Sequence, residues 1–216
     1  WKLSYSEQSQ KILNINSIAI NNIYPEINVD IKRFKEGNSD LEIKGKKIAF
    51  GIDSFEDYKM WYEEDFVELA NKLYEKNLFD YIYLICGKEK SYLAKNIIEL
   101  SKKNYFIDCS DKNLNGIIFA LKNSRFLVGN NSGPINLAAA LNIKSFGLIA
   151  NDPVEELQYS KIKIITPDNY SNIRCREREG MKKLTVDKVF NKIMEDLNQW
   201  KHQISYYHLQ KIKISI

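Results

Sequence analysis

The chain has 216 residues, 44% of them apolar and 28% charged, which suffices for one domain of ordinary size with its own core plus extensions. No apolar run is long enough to span a bilayer and the first residues lack the order of a signal peptide, so a cytoplasmic protein is expected. The net charge of +4 is spread along the chain without interleaved stacking aromatics, which argues against a nucleic-acid groove, and three cysteines without a C-x-x-C pair argue against disulfides and zinc. Residues 1–45 read as a polar, asparagine-rich lead-in, a linker from a missing or truncated preceding domain, with an extended segment at 26–31. From position 46 to position 200, strand-like and helix-like segments alternate as in a doubly wound α/β domain. Strands are predicted at 47–52 (KIAFGI), 80–86 (DYIYLIC), 105–108, 125–129, 144–149 and Ile162–Ile165. Between them, Tyr62, Phe66, Leu69, Ala70 and Leu73 share one helical face, as do Leu93, Ala94, Ile97 and Ile98, and then Leu114, Ile117, Ile118 and Leu121. Residues 167–183 read as a charged connection, after which Thr185 caps a helix with the apolar face Val186, Val189, Phe190, Ile193, Met194 and Leu197. A basic, aromatic tail follows at 201–216, in which His202 and His208 stand without thiol or carboxylate neighbours and read as solvated. No metal and no cofactor are expected.

Strands separated by single helices run parallel when the crossover stays in one sheet, and right-handed crossovers gather the loops after the strands along one edge, where ligands bind. Three such loops carry chemistry: 53–59, 87–89 and 130–133. The last lies in FLVGNNSGPINLAAAL, a strand that stops at small residues and restarts as a helix with Pro134 in its first turn. The backbone N–H groups of that turn and the positive end of the helix dipole suit a phosphate. The loop is neither G-x-G-x-x-G nor a Walker lysine loop, so dinucleotide and P-loop readings have no motif. A flavodoxin-like regulator would place an acidic cluster after the first strand, where Asp53, Glu56 and Asp57 stand, but it leaves the 130–133 loop unexplained.

Two stretches resemble the C-terminal half of glycosyltransferase family 9, the ADP-heptose:lipopolysaccharide heptosyltransferases. LNGIIFALKNSRFLVGNNSGPINLAAAL follows the course of the family's helix, strand and D-[ST]-G-x-x-H-L-x-A-A-L segment, and GIDSFEDYKMWYEEDFVELANKL looks like its strand, phosphate-side loop and K-x-W helix. The Gly87 turn, Asp152-Pro153 and MKKLTVDKV fall in the expected order, so the resemblance covers roughly residues 46–197. It implies a mostly parallel, Rossmann-like sheet forming one half of the two-domain GT-B fold. It further implies that Lys59 contacts the donor's diphosphate, that Ser132 and Gly133 bind the same group, and that Glu89 accepts from the ribose. At position 132 a simple helix cap is the alternative, and at 89 an exposed glutamate. Asn131 stands where the family has aspartate and Asn136 where it commonly has histidine; both amides can still bind a sugar or phosphate, but neither carries the family's charge. The implied reaction is inverting, metal-independent glycosyl transfer from a nucleotide diphosphate sugar, an ADP-sugar first, to a glycan or lipopolysaccharide-core acceptor at the cytoplasmic face of the inner membrane. The acceptor site and the general base, an aspartate, are then expected in a missing N-terminal domain. A binding module that keeps the fold and lacks turnover is the alternative.

Overall fold

The computed structural model describes residues 26–157 and 159–213, with side chains up to position 199. The lead-in before position 26, the side chains of Trp200, His202 and His208, and the last three residues lie outside the described residues. Six strands, β1 (Lys47–Gly51), β2 (Tyr81–Ile85), β3 (Phe106–Asp108), β4 (Leu127–Asn130), β5 (Ser145–Leu148) and β6 (Ile162–Ile165), form one sheet in the order β3-β2-β1-β4-β5-β6. Every pairing is parallel, so the expected mostly parallel sheet is wholly so among the described residues.

Such a sheet is buried on both sides, which is why its strands read as continuous apolar runs. Ile48, Phe50, Ile82, Leu84, Val128 and Phe146 point to one face. That face is covered by α1 (Glu63–Glu75), α2 (Ser91–Ser101) and α6 (Val186–Lys213), through Phe66, Leu69, Leu93, Ile97, Val189 and Ile193. Ala49, Tyr83, Ile85 and Leu127 point to the other face, under α3 (Leu114–Lys122) and α4 (Gly133–Ala140).

The described part of the lead-in packs on this second face. The Ile27 N–H donates to the Ala140 carbonyl at 2.7 Å, and Tyr83 donates its hydroxyl to the carbonyl of buried Leu41 at 2.5 Å. Gly45, at φ +118°, then turns the chain into β1; a Cβ there would lie 2.8 Å from Asp80 Oδ2. The 167–183 connection contains one short helix, α5 (Glu179–Lys182), which buries Met181 and is too brief to show a period in the sequence. Thr185 starts α6 as expected, its Oγ1 accepting from the Lys188 N–H at 3.4 Å.

The chain crosses over in one direction from β1 to β3 and in the other from β4 to β6, so the order reverses between β1 and β4. There the strands meet at Gly51 and Gly129, which are register partners. A Cβ on Gly129 would stand 3.0 Å from the Gly51 carbonyl oxygen, so glycine lets these two strand ends close together. In open parallel sheets the crevice outside the carboxyl ends of the strands at such a reversal is the usual ligand position, and here it falls at the ends of β1 and β4.

Candidate functional site

Buried Asn130, the last residue of β4, fixes both walls of the crevice. Its Nδ2 donates to the Ile52 carbonyl at 3.0 Å, and its Oδ1 accepts from the Trp61 N–H at 3.0 Å. Trp61 is itself held, its indole N–H donating to the Leu184 carbonyl at 2.9 Å. Ser54 adds a third tie by donating to the Asn131 carbonyl at 3.1 Å. The 53–62 segment is therefore pinned to the β4 end at several points, and Lys59 rides on it in a one-turn 3-10 helix, Asp57–Lys59.

Lys59 turns its ammonium inward. Only 11% of its side chain is exposed, and Nζ stands 2.9 Å from Glu56, 3.2 Å from Asp152 and 3.5 Å from Glu156. Burial works to lower its pKa, but the three carboxylates outweigh it and hold the ammonium above the ordinary lysine value. Asp152 and Glu156 come from the loop after β5 and are bound again from the far side by Arg174, whose Nε lies 3.1 Å from Asp152 and whose Nη2 bonds Glu156. Asp152 is 3% exposed, and its pKa is raised, chiefly by burial and then by Glu156, against the pull of Lys59 and Arg174. Tyr170 closes this loop by donating its hydroxyl to the Asp152 carbonyl.

Across from Lys59, α4 begins at Ser132. The residue has N-cap geometry, φ −156° and ψ 179°, but its hydroxyl makes no cap bond and donates instead to the Asn130 carbonyl at 3.3 Å. The simple cap expected as the alternative at this position is thus not formed, and among the described residues no side chain is bonded to the N–H groups of the first turn. Gly133 is exposed, with nothing within 4 Å of where a Cβ would be. One turn on, Asn136 donates back to the Ser132 carbonyl at 3.0 Å, while its Oδ1 is buried without a partner among the described residues. The opening thus presents free donors, one orphaned acceptor and a nearby cation, a set that suits an anion carrying hydroxyl groups.

Glycosyltransferase family 9 (heptosyltransferase), as a family model, matches residues 13–186 of the chain. The chain belongs to glycosyltransferase family 9. No curated protein matches it. Among solved structures, this family 9 chain is similar to ADP-heptose lipopolysaccharide heptosyltransferase II of E. coli, with a TM-score of 0.70 at 16% identity over 85% of this chain and 56% of that one. It is similar to a family 9 glycosyltransferase from Veillonella parvula, with a TM-score of 0.73 at 14% identity over 92% of this chain and 61% of that one. E. coli heptosyltransferase WaaC, solved with ADP-2-deoxy-2-fluoro heptose, matches at a TM-score of 0.60 and 20% identity over 87% of this chain and 54% of that one. At these identities the likeness is one of fold, and the chain spans little more than half the length of these structures.

Of the residues singled out in the family 9 sequence, the fold brings Lys59, Asn131, Ser132, Gly133 and Asn136 to one crevice. Lys59 and Asn131 share the oxygens of Glu156 and Asp152: Asn131 Nδ2 lies 2.7 Å from Glu156 Oε2 and 3.4 Å from Asp152 Oδ2. Glu89 is exposed in the 3-10 turn Lys88–Lys90, and no bond joins it to this network. Its neighbour Lys90 reaches in instead, 2.8 Å from the Ser54 carbonyl and 2.7 Å from Asp57. The carboxylates after β1 do not cluster: Asp53 accepts from the Gly87 N–H at 2.6 Å, Asp57 holds Lys90 and Glu56 holds Lys59. No local pattern in the sequence marks Glu156 or Arg174, and Asp152 stands out there only through its Asp-Pro pair. Among the described residues no group of three or more His, Cys, Asp or Glu side chains is placed to hold a metal ion. A separate groove of about 520 Å³, lined by Arg125, Lys144, Lys161 and Lys163, opens at the other end of β4 and β5 and holds none of these residues.

Proposed function

We propose that this chain is the nucleotide-sugar-binding half of an inverting, metal-independent glycosyltransferase of lipopolysaccharide or surface-glycan synthesis, with an ADP-sugar as donor. The observation that carries the reading is the uncapped first turn of α4 facing, across the β1/β4 crevice, a lysine that the β5 loop holds in place. Family membership and the ADP or ADP-heptose named for related structures support the donor class. The acceptor glycan and the general base belong to another domain, in keeping with the half-length match to the solved enzymes. The full protein then works at the cytoplasmic face of the inner membrane; no described helix is long and apolar enough to cross it.

In this scheme the base takes the proton of the acceptor hydroxyl, whose oxygen attacks the anomeric carbon from the side opposite the diphosphate. The bond from that carbon to the diphosphate oxygen breaks, and its electron pair leaves with the diphosphate. Lys59 and the N–H groups at Ser132 and Gly133 stabilise the growing negative charge, while Asn131 and Asn136 face the sugar side and Glu89 the ribose. Calorimetric titration with ADP-heptose and with other nucleotide diphosphate sugars tests the reading, and failure of all of them to bind would sink it. Lys59→Ala is expected to weaken ADP binding by about 10- to 100-fold, the worth of a charge-assisted hydrogen bond. Sugar transfer by this chain alone would overturn the assignment of the base to another domain.

A further inference from the structure

Asn131 is wedged against two carboxylates, and this settles which way its amide faces. A carboxylate only accepts, so the group 2.7 Å from Glu156 and 3.4 Å from Asp152 must be the NH2. The two acids cannot easily yield, because Asp152 is 3% and Glu156 12% exposed and both are gripped by Lys59 and Arg174. The Asn131 backbone carbonyl is engaged as well, by Ser54. What remains is Oδ1, the other end of the amide, with no donor among the described residues, on the residue just before the N-cap of α4.

A fixed, neutral acceptor at this point discriminates. A diphosphate oxygen would meet it acceptor to acceptor and is better placed on the N–H groups at Gly133, whereas a hydroxyl can donate to it. We propose that Glu156 and Asp152 are positioning residues that hold Asn131 as a hydrogen-bond acceptor for a hydroxyl of the donor's sugar; the inference rests on the nucleotide-sugar reading above. The negative charge that an aspartate at position 131 would carry has in effect moved to the β5 loop, where it aims the amide instead of touching the ligand. An aspartate at 131 is then excluded here, since it would bring a third carboxylate against Glu156 and Asp152.

A reciprocal exchange tests this. ADP-heptose and ADP are titrated into the 216-residue chain, Asn131→Asp, Glu156→Gln and the double variant, with thermal unfolding of each. Each single change is expected to cut affinity for ADP-heptose by about tenfold more than affinity for ADP, the worth of a hydrogen bond to a charged or misfacing group. The double variant, in which the glutamine amide donates to the new aspartate, is expected to recover to within about threefold of the parent, and unfolding is expected to show coupling between the two positions. Full affinity in Asn131→Asp, no recovery in the double variant, or additive unfolding would each overturn the proposal. A parent that binds ADP as tightly as ADP-heptose overturns it too, while leaving the nucleotide reading intact; a parent that binds neither removes the reading beneath it.

Discussion

Asp65 occupies the third position of α1, where a negative charge is favoured by the helix dipole, yet burial, and then repulsion from Glu64 and Glu68, push its pKa from 3.8 to about 6. The folded chain therefore binds this proton more tightly than the unfolded one, and the ionised carboxylate costs stability that is absent below about pH 4 and fully felt above pH 6. Discounted for partial exposure, that cost is about 1–2 kcal/mol, against about 0.5 kcal/mol from the dipole. Asp65→Asn is thus expected to raise the melting temperature by about 2–4 °C at pH 7 and to leave it unchanged at pH 4, which a pH series of thermal melts would check. Residues of this kind show how far the sequence could be read. Lys59 and Ser132 stood out because each sits in a local pattern, a K-x-W turn and a strand-to-helix junction. Glu156 and Arg174 did not, since an acid or an arginine in a polar loop looks solvated until the fold brings it to a lysine 97 positions away.

At the scale of elements, the strands were legible because burial on both faces leaves apolar runs with turn residues at each end. Their limits shifted by a residue or two, as where 125–129 gives way to Leu127–Asn130, because pairing, and not hydropathy, sets strand ends. The 167–183 connection was less legible, since α5 is held by tertiary contacts, the burial of Met181 and the close approach of Gly180 to Asn151, that no local pattern shows. A Cβ on Gly180 would fall 1.8 Å from Asn151 Oδ1, and Asn151 is buried with its Nδ2 donating to the Tyr58 carbonyl at 2.7 Å. Gly180→Ala must displace that amide and, through Tyr58, the turn that carries Lys59. A loss of about 1–3 kcal/mol in chemical unfolding, with weaker ADP binding, is expected; unchanged stability would show that the amide can move freely. The apolar face of α6 is spent within this domain, with Val189 and Ile193 fully buried against the sheet and α1.

For the whole molecule, the three thiols are sorted by depth. Cys86 and Cys109 are buried, and that burial pushes both up to about 12, whereas Cys175 is exposed beside Arg174. A thiol reagent is expected to modify one cysteine quickly in the folded chain and all three after denaturation, with peptide mapping placing the first at Cys175; fast labelling of Cys109 would mean that the α3 face opens. Around Lys59 the protein also supplies its own counterions, with Glu56, Asp152 and Glu156 set against Lys59 and Arg174. A diphosphate reaching this lysine meets an ammonium already surrounded by resident carboxylates and not by chloride from solution. Its affinity should then be nearly indifferent to ionic strength: between 50 and 500 mM salt the Kd for ADP is expected to move by less than about threefold, where a lysine with only solvent ions around it would be strongly screened.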